Sequence, residues 1–109
     1  MFSAVLFARD ETDAAAVEQL AVESKQVSFG KILYRFPQDF ELPQILNTYV
    51  PNLVFLDLSD WNGALATASK IRAHSDRTPI IGFGGGWQPG RDTECASAGV
   101  TEVLVSRSP

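Results

Sequence analysis

The side chains with chemistry to offer are few, and they gather at the ends of apolar runs. Asp57 closes the run Leu53-Val54-Phe55-Leu56, and Asp10 and Glu11 follow the first apolar run of the chain. A carboxylate at a strand end is easily solvated, and acids at a helix start are favoured by its dipole. Each therefore has a structural reading beside any functional one. Gly82-Phe83-Gly84-Gly85-Gly86 invites comparison with phosphate-binding loops. The dinucleotide fingerprint, however, needs G-x-G-x-x-G at the first strand–helix turn, and this run follows the fourth strand with different spacing. A loop at the carboxyl end of the sheet is the expectation, and ligands do bind at that end in open α/β folds. Trp61 and Trp87 are placed in loops at the same end. There they would either anchor a partner or fold over the carboxylates and seal them. Cys95 and His74 have no neighbours at metal-ligand spacing. Cys95 reads as a small buried hydrophobe, and His74 as a residue of a last helical turn, where positive charge is welcome.

Short apolar runs and helical patterns alternate along the chain and would position these groups. Strands are expected at Ser3–Ala8, Lys31–Phe36, Leu53–Leu56, Ile80–Phe83 and Glu102–Val105. The first helix is expected to be capped by Thr12 or Asp13, with Ala16, Val17, Leu20 and Ala21 on its inner face. The second runs from Leu42 to Val50. Its stripe Leu42, Ile45, Leu46, Tyr49, Val50 has i, i+3, i+4, i+7, i+8 spacing, and Pro43 falls in the first turn, where proline is tolerated. The third covers Gly63–His74 with Leu65, Ala68 and Ile71 inward. A short fourth covers Asp92–Ala98 and stops at Gly99. The third strand is apolar on both faces, as a central parallel strand covered by helices must be. The expected architecture is α/β, a flavodoxin-like doubly wound five-stranded parallel sheet. The sequence ends before a last helix that would cover the fifth strand.

With 109 residues there is one domain. Hydrophobic residues make up 45% and charged residues 20%, ordinary for a globular protein. The net charge is −4 and the nine basic residues are scattered. That argues against nucleic acid or an anionic membrane as partner, because both need clustered Lys and Arg. One cysteine excludes an internal disulfide and fits a reducing cytoplasm. No apolar stretch is long enough to span a bilayer.

The order and spacing of these elements, anchored on Pro51-Asn52-Leu53-Val54-Phe55-Leu56-Asp57 and on Ala98-Gly99-Val100-Thr101-Glu102-Val103-Leu104-Val105, resemble the response-regulator receiver domain. The resemblance covers nearly the whole chain. It implies a phosphoacceptor at Asp57 and Mg²⁺ held by Asp10, Glu11 and Asp57. It also implies a Ser or Thr closing the fourth strand and a Lys closing the fifth. Such chemistry leaves little covalent work to the protein, so positioning and charge stabilisation carry the rate.

Matched residue by residue, that machinery is incomplete. Arg9 stands where one of the paired acids belongs, and only a register shift to Glu11 restores the pair. Gly84 falls at the hydroxyl position and Ser106 at the lysine position. The loop Leu58-Ser59-Asp60-Trp61-Asn62-Gly63 is short and lacks the family's Met-Pro pair. On Pro51-Asn52-Leu53-Val54-Phe55-Leu56 and Ala98-Gly99-Val100-Thr101-Glu102-Val103-Leu104 the wider sequence resembles the degenerate, atypical receivers at the N-terminus of TadZ/CpaE-type pilus-assembly proteins, in which a ParA/MinD-like ATPase domain follows in the same polypeptide. The expectation is a non-enzymatic signalling or interaction domain without phosphotransfer. It would associate with a protein partner or a second copy through the fourth helix and fifth strand. The alternative is a working two-component receiver phosphorylated on Asp57 with Mg²⁺, and a weaker third reading is a small-molecule sensor built on the glycine loop and the tryptophans.

Overall fold

A computed structural model describes residues 2–8, 11–75, 77–83 and 92–103. Within them nine elements alternate: β1 (Phe2–Phe7), α1 (Glu11–Ser24), β2 (Val27–Leu33), α2 (Glu41–Tyr49), β3 (Leu53–Asp57), α3 (Trp61–His74), β4 (Ile80–Phe83), α4 (Asp92–Ala98) and β5 (Glu102–Val103). The strands form one parallel sheet in the order β2-β1-β3-β4-β5. The expected flavodoxin-like arrangement is therefore present. The expected absence of a last helix falls beyond Val103, outside the described residues.

The sheet's core divides by strand alternation, as the period of two requires. Val5, Phe7, Val54, Leu56, Leu58 and Ile80 turn to one face, where α2, α3 and α4 supply Leu42, Ile45, Leu46, Ala64, Ala68, Ile71 and Cys95. Ala4, Leu6, Ala8, Phe55 and Phe83 turn to the other, where α1 supplies Ala14 and Val17. Right-handed crossovers account for the split. The chain steps left from β1 to β2 through α1, and rightward through α2, α3 and α4, so α1 lands on the opposite face.

The second strand differs from expectation. It spans Val27–Leu33 rather than Lys31–Phe36. As an edge strand it is half-exposed, so no sustained apolar run marks it. Its pairing with β1 also slips at Gly30: Ala4 faces Phe29 and Val5 faces Lys31. The extra residue is a bulge, a common device on sheet edges. Tyr34 and Phe36 lie in the following loop. Smaller differences follow from geometry. Ala14, Val17 and Ala21 form the buried stripe of α1, while Ala16 is exposed. Val50 lies outside the α2 stripe as an exposed C-cap with left-handed backbone (φ 41°), its N–H bonded to Leu46 O. Cys95 is buried, as expected.

Candidate functional site

Asp57 is the last residue of β3 and is fully buried. Ser59 N–H donates to its Oδ1 at 2.9 Å. Among the described residues, no buried side-chain nitrogen or oxygen lacks a hydrogen-bond partner. That matters because an uncompensated carboxylate in the interior is costly. β3 keeps its register past Asp57, since Leu58 N–H donates to Phe83 O at 2.6 Å. Leu58 is itself fully buried and lies across Gly82 of β4. A Cβ built on Gly82 would come within 2.7 Å of Leu58 Cδ1. The first glycine of the Gly82–Gly86 run thus serves packing between β3 and β4.

The chain turns from β3 into α3 through Asp60. This residue has extended backbone and accepts from Gly63 N–H, so it caps the helix. The cap places the start of α3 at Trp61, two residues earlier than expected, and moves Trp61 out of the loop into the first helical turn. Its indole Nε1 donates to Glu94 Oε2 on α4 at 2.9 Å. Trp61 is one of two ties from α3 to this neighbour, and the other lies eleven positions on. At the other end, Arg72 Nε donates to Gly99 O at 3.0 Å and Arg72 NH2 to Thr101 Oγ1 at 3.1 Å. The same Thr101 oxygen accepts from Ile80 N–H at 3.1 Å. At seven residues α4 is too short to be stable alone, so α3 positions it from both ends.

Comparison with known proteins bears on this arrangement. No family model matches the sequence, and no curated protein matches it. Solved structures do. The signal receiver domain of the response regulator NarL from Mycobacterium tuberculosis is 13% identical, with 99% of this chain and 86% of that one covered at a TM-score of 0.77. The signal receiver domain of a DNA-binding response regulator from Colwellia psychrerythraea 34H is 19% identical, with 96% and 85% covered at 0.73. A pilus assembly-related protein from Burkholderia pseudomallei K96243 is 15% identical, with 96% and 78% covered at 0.78. This chain has the receiver fold.

Asp57 closes β3, at the strand end expected from the apolar run before it. The other implied positions divide. Glu11 opens α1 and is exposed. Asp10, Gly84, Trp87 and Ser106 lie outside the described residues. Among the described residues no three His, Cys, Asp or Glu side chains gather as a cation site. These residues alone therefore do not assemble the Mg²⁺ cage; Asp10, one of its three members, lies outside them. Also among the described residues, no helix is long and apolar enough to cross a membrane. His74 ends α3, its Nε2 paired with Asn47 Oδ1 at 3.2 Å.

Sequence reasoning missed Asp60 as a cap, although an Asp just before a helical stretch is a recognised start signal. It also missed Glu94 and Arg72, which act on residues 33 and 27 positions away, and no local pattern announces such partners.

Proposed function

We propose that this receiver-fold domain works by binding other proteins and does not transfer phosphate. The burial of Asp57 carries the reading. A nucleophile must meet phosphorus in line, and a fully buried carboxylate holding an N–H donor from its own loop offers no approach without rearrangement. The sequence supports the same conclusion, with Gly84 at the hydroxyl position and Ser106 at the lysine position. The domain is then not an enzyme and needs no Mg²⁺. Its output surface is α4 with β5, the elements that α3 positions. The pilus assembly-related protein of the same fold, together with the TadZ/CpaE resemblance, favours a role in localising an assembly in the cytoplasm, with an ATPase domain in the same polypeptide.

The test is titration with Mg²⁺ and beryllofluoride, read by tryptophan fluorescence and amide NMR, with Asp57→Asn as control. No saturable response at millimolar metal is expected, and no acid-labile phosphate after treatment with a small phosphodonor. The position of Asp57 at the end of β3 supports the second reading, a phosphorylated receiver. Saturable, Asp57-dependent binding would establish that reading and end the first.

A further inference from the structure

Three helices end on a residue with left-handed backbone. Lys25 follows α1 (φ 58°), Val50 follows α2 (φ 41°) and Gly99 follows α4 (φ 103°). Each N–H bonds the carbonyl four residues back, at 3.1, 3.0 and 3.1 Å. Glycine is the ordinary residue at such an end. Valine is the exception, because a β-branched side chain crowds the neighbouring carbonyl when φ is positive. Pro51 explains why α2 stops, since the residue before a proline is disfavoured in the helical region. It does not explain the valine. Nor does burial, because Val50 is 72% exposed. In the free chain a strained backbone thus holds an apolar side chain out in water, and strain of this kind is kept where function uses it.

Val50 also lines a groove of about 230 Å³ between the ends of α2 and α3, with Leu46 and Pro51 as its other apolar members. The polar members are engaged with one another, Asn47 Oδ1 with His74 Nε2 at 3.2 Å and Ser75 Oγ with Thr78 Oγ1 at 2.9 Å. The volume falls below the roughly 300–1,000 Å³ of small-molecule sites, and a branched aliphatic side chain suits it. Pro51 and Thr78 stand just before β3 and β4, which places the groove at the amino end of the sheet. β5 is parallel to β4 and carries the chain the other way. Charge narrows the occupant. The described lining has no Asp, Glu, Lys or Arg, whereas α1 carries Glu11, Asp13, Glu18 and Glu23 with no basic residue and the whole chain has a net charge of −4. Two copies would repel each other across α1 and not across this groove. Knob and hole are neighbours on one surface. We propose that this surface binds a second copy of the chain about a two-fold axis, with Val50 of each copy seated in the groove of the other. Such a contact is self-complementary and closed. It goes beyond the interaction role proposed above, because it involves neither Asp57 nor the surface of α4 and β5. Being small, it is a weak interface, with a dissociation constant on the order of 100 µM.

The test follows the full chain from about 20 µM to about 2 mM, a range that brackets that constant, by sedimentation velocity and amide NMR. Reversible dimerisation is expected, with concentration-dependent shifts at Asn47, Val50 and Thr78. A mixture of labelled and unlabelled chains should give intermolecular NOEs from the Val50 methyls to Leu46 and Pro51. Val50→Asn removes the branched side chain and leaves a residue that tolerates the left-handed backbone. It should weaken dimerisation at least about tenfold, the scale of one anchor residue. In dilute solution the same variant should unfold about 2–6 °C above wild type. A residue with a purely structural role would not lose association while gaining stability. Val22 on α1 is equally exposed, at 72%, and Val22→Ala should leave dimerisation unchanged. Several results overturn the proposal: a chain that stays monomeric to about 2 mM, dimers that persist in Val50→Asn, or shifts confined to α4 and β5. So does a Val50→Asn chain that unfolds below wild type, because the strain at Val50 would then be absent.

Discussion

The face under α2, α3 and α4 and the face under α1 are built from the same five strands, yet they differ in kind. On the first, Val5, Phe7, Leu56, Leu58, Ile71 and Ile80 are all fully buried and interdigitate. On the second, β1 contributes Ala4, Leu6 and Ala8, small enough for α1 to settle closely. Past Phe55 the packing opens, and Ile81 and Leu53 are only partly covered. The T-shaped pair of Phe29 and Phe55, with ring centroids 5.6 Å apart, stiffens this thinner layer and adds about 0.5–1.5 kcal/mol beyond its buried area. The difference teaches that, among the described residues, the tighter packing and with it most of the fold's stability lie under α2, α3 and α4.

Truncation on each face tests that division. Leu58→Ala should cost about 3 kcal/mol, because it removes a fully buried side chain and leaves a cavity over Gly82. Ile81→Ala should cost about 1 kcal/mol, since the side chain is already partly in contact with water. Denaturant unfolding of both variants gives the comparison directly. Equal losses would mean that the α1 face is as tightly packed as the other. Next in size is Gly99→Ala. Gly99 has φ +103°, a conformation that side-chain-bearing residues rarely adopt, and its added Cβ would meet Arg72 Cγ at 2.2 Å. Arg72 is held by its bonds to Gly99 O, Ser75 O and Thr101 Oγ1 and cannot yield freely. A loss of about 1–3 kcal/mol is expected, concentrated at the junction of α4 and β5. A near-neutral result would show that this clamp is looser than its geometry.

How far these features could be read from the sequence depends on how local their causes are. β3 and α2 were legible because burial on both faces, or on one stripe, writes a period directly into the residues. β2 was misplaced because an edge strand with a bulge at Gly30 carries no such period, while Tyr34 and Phe36 imitate one. The position of Asp57 at a strand end was legible from the apolar run before it. Its burial was not, since that depends on how the segments around the strand end close over it. Trp61 was assigned to a loop because the capping role of Asp60 went unweighed. Its bond to Glu94 joins residues that only the crossover brings together.

That bond supplies a smaller effect. Trp61→Phe keeps the ring and removes the N–H, so it should cost about 0.5–1.5 kcal/mol. Faster hydrogen exchange should appear in α4, with β1 and β3 unchanged. The contrast with Gly99→Ala compares the two ends of the α3–α4 clamp. Uniformly faster exchange throughout the domain would mean that α4 is not a separable unit, and its role as an adjustable output surface would then lose support.

The smallest effect lies outside both faces and calibrates them. Arg35 NH1 and NH2 reach Glu41 Oε1 and Oε2 at 2.7 and 2.8 Å. The guanidinium hydrogen bond, helped by Gln38 N–H, lowers the Glu41 carboxyl to about 2 from its usual 4.5. A carboxyl whose folded pKa is depressed contributes stability above its unfolded pKa and loses it as pH falls toward the folded one. Any difference between wild type and Arg35→Ala should therefore be constant above pH 4.5 and vanish as the pH drops toward about 2. Because the pair is solvent-exposed, that difference should be slight beside the Leu58 and Gly99 losses. Carboxyl NMR should find Glu41 titrating near 2 in the wild type and closer to 4.5 in the variant, with the Gln38 contact holding it somewhat below. A wild-type value near 4.5 would mean that the pair does not persist in water. The loop from β2 to α2, which has no side-chain cap at the start of its helix, would then be held by the packing of Phe36 and buried Pro37, by the Glu41 and Leu42 N–H bonds to Gln38 O and by the Lys70–Asp39 pair.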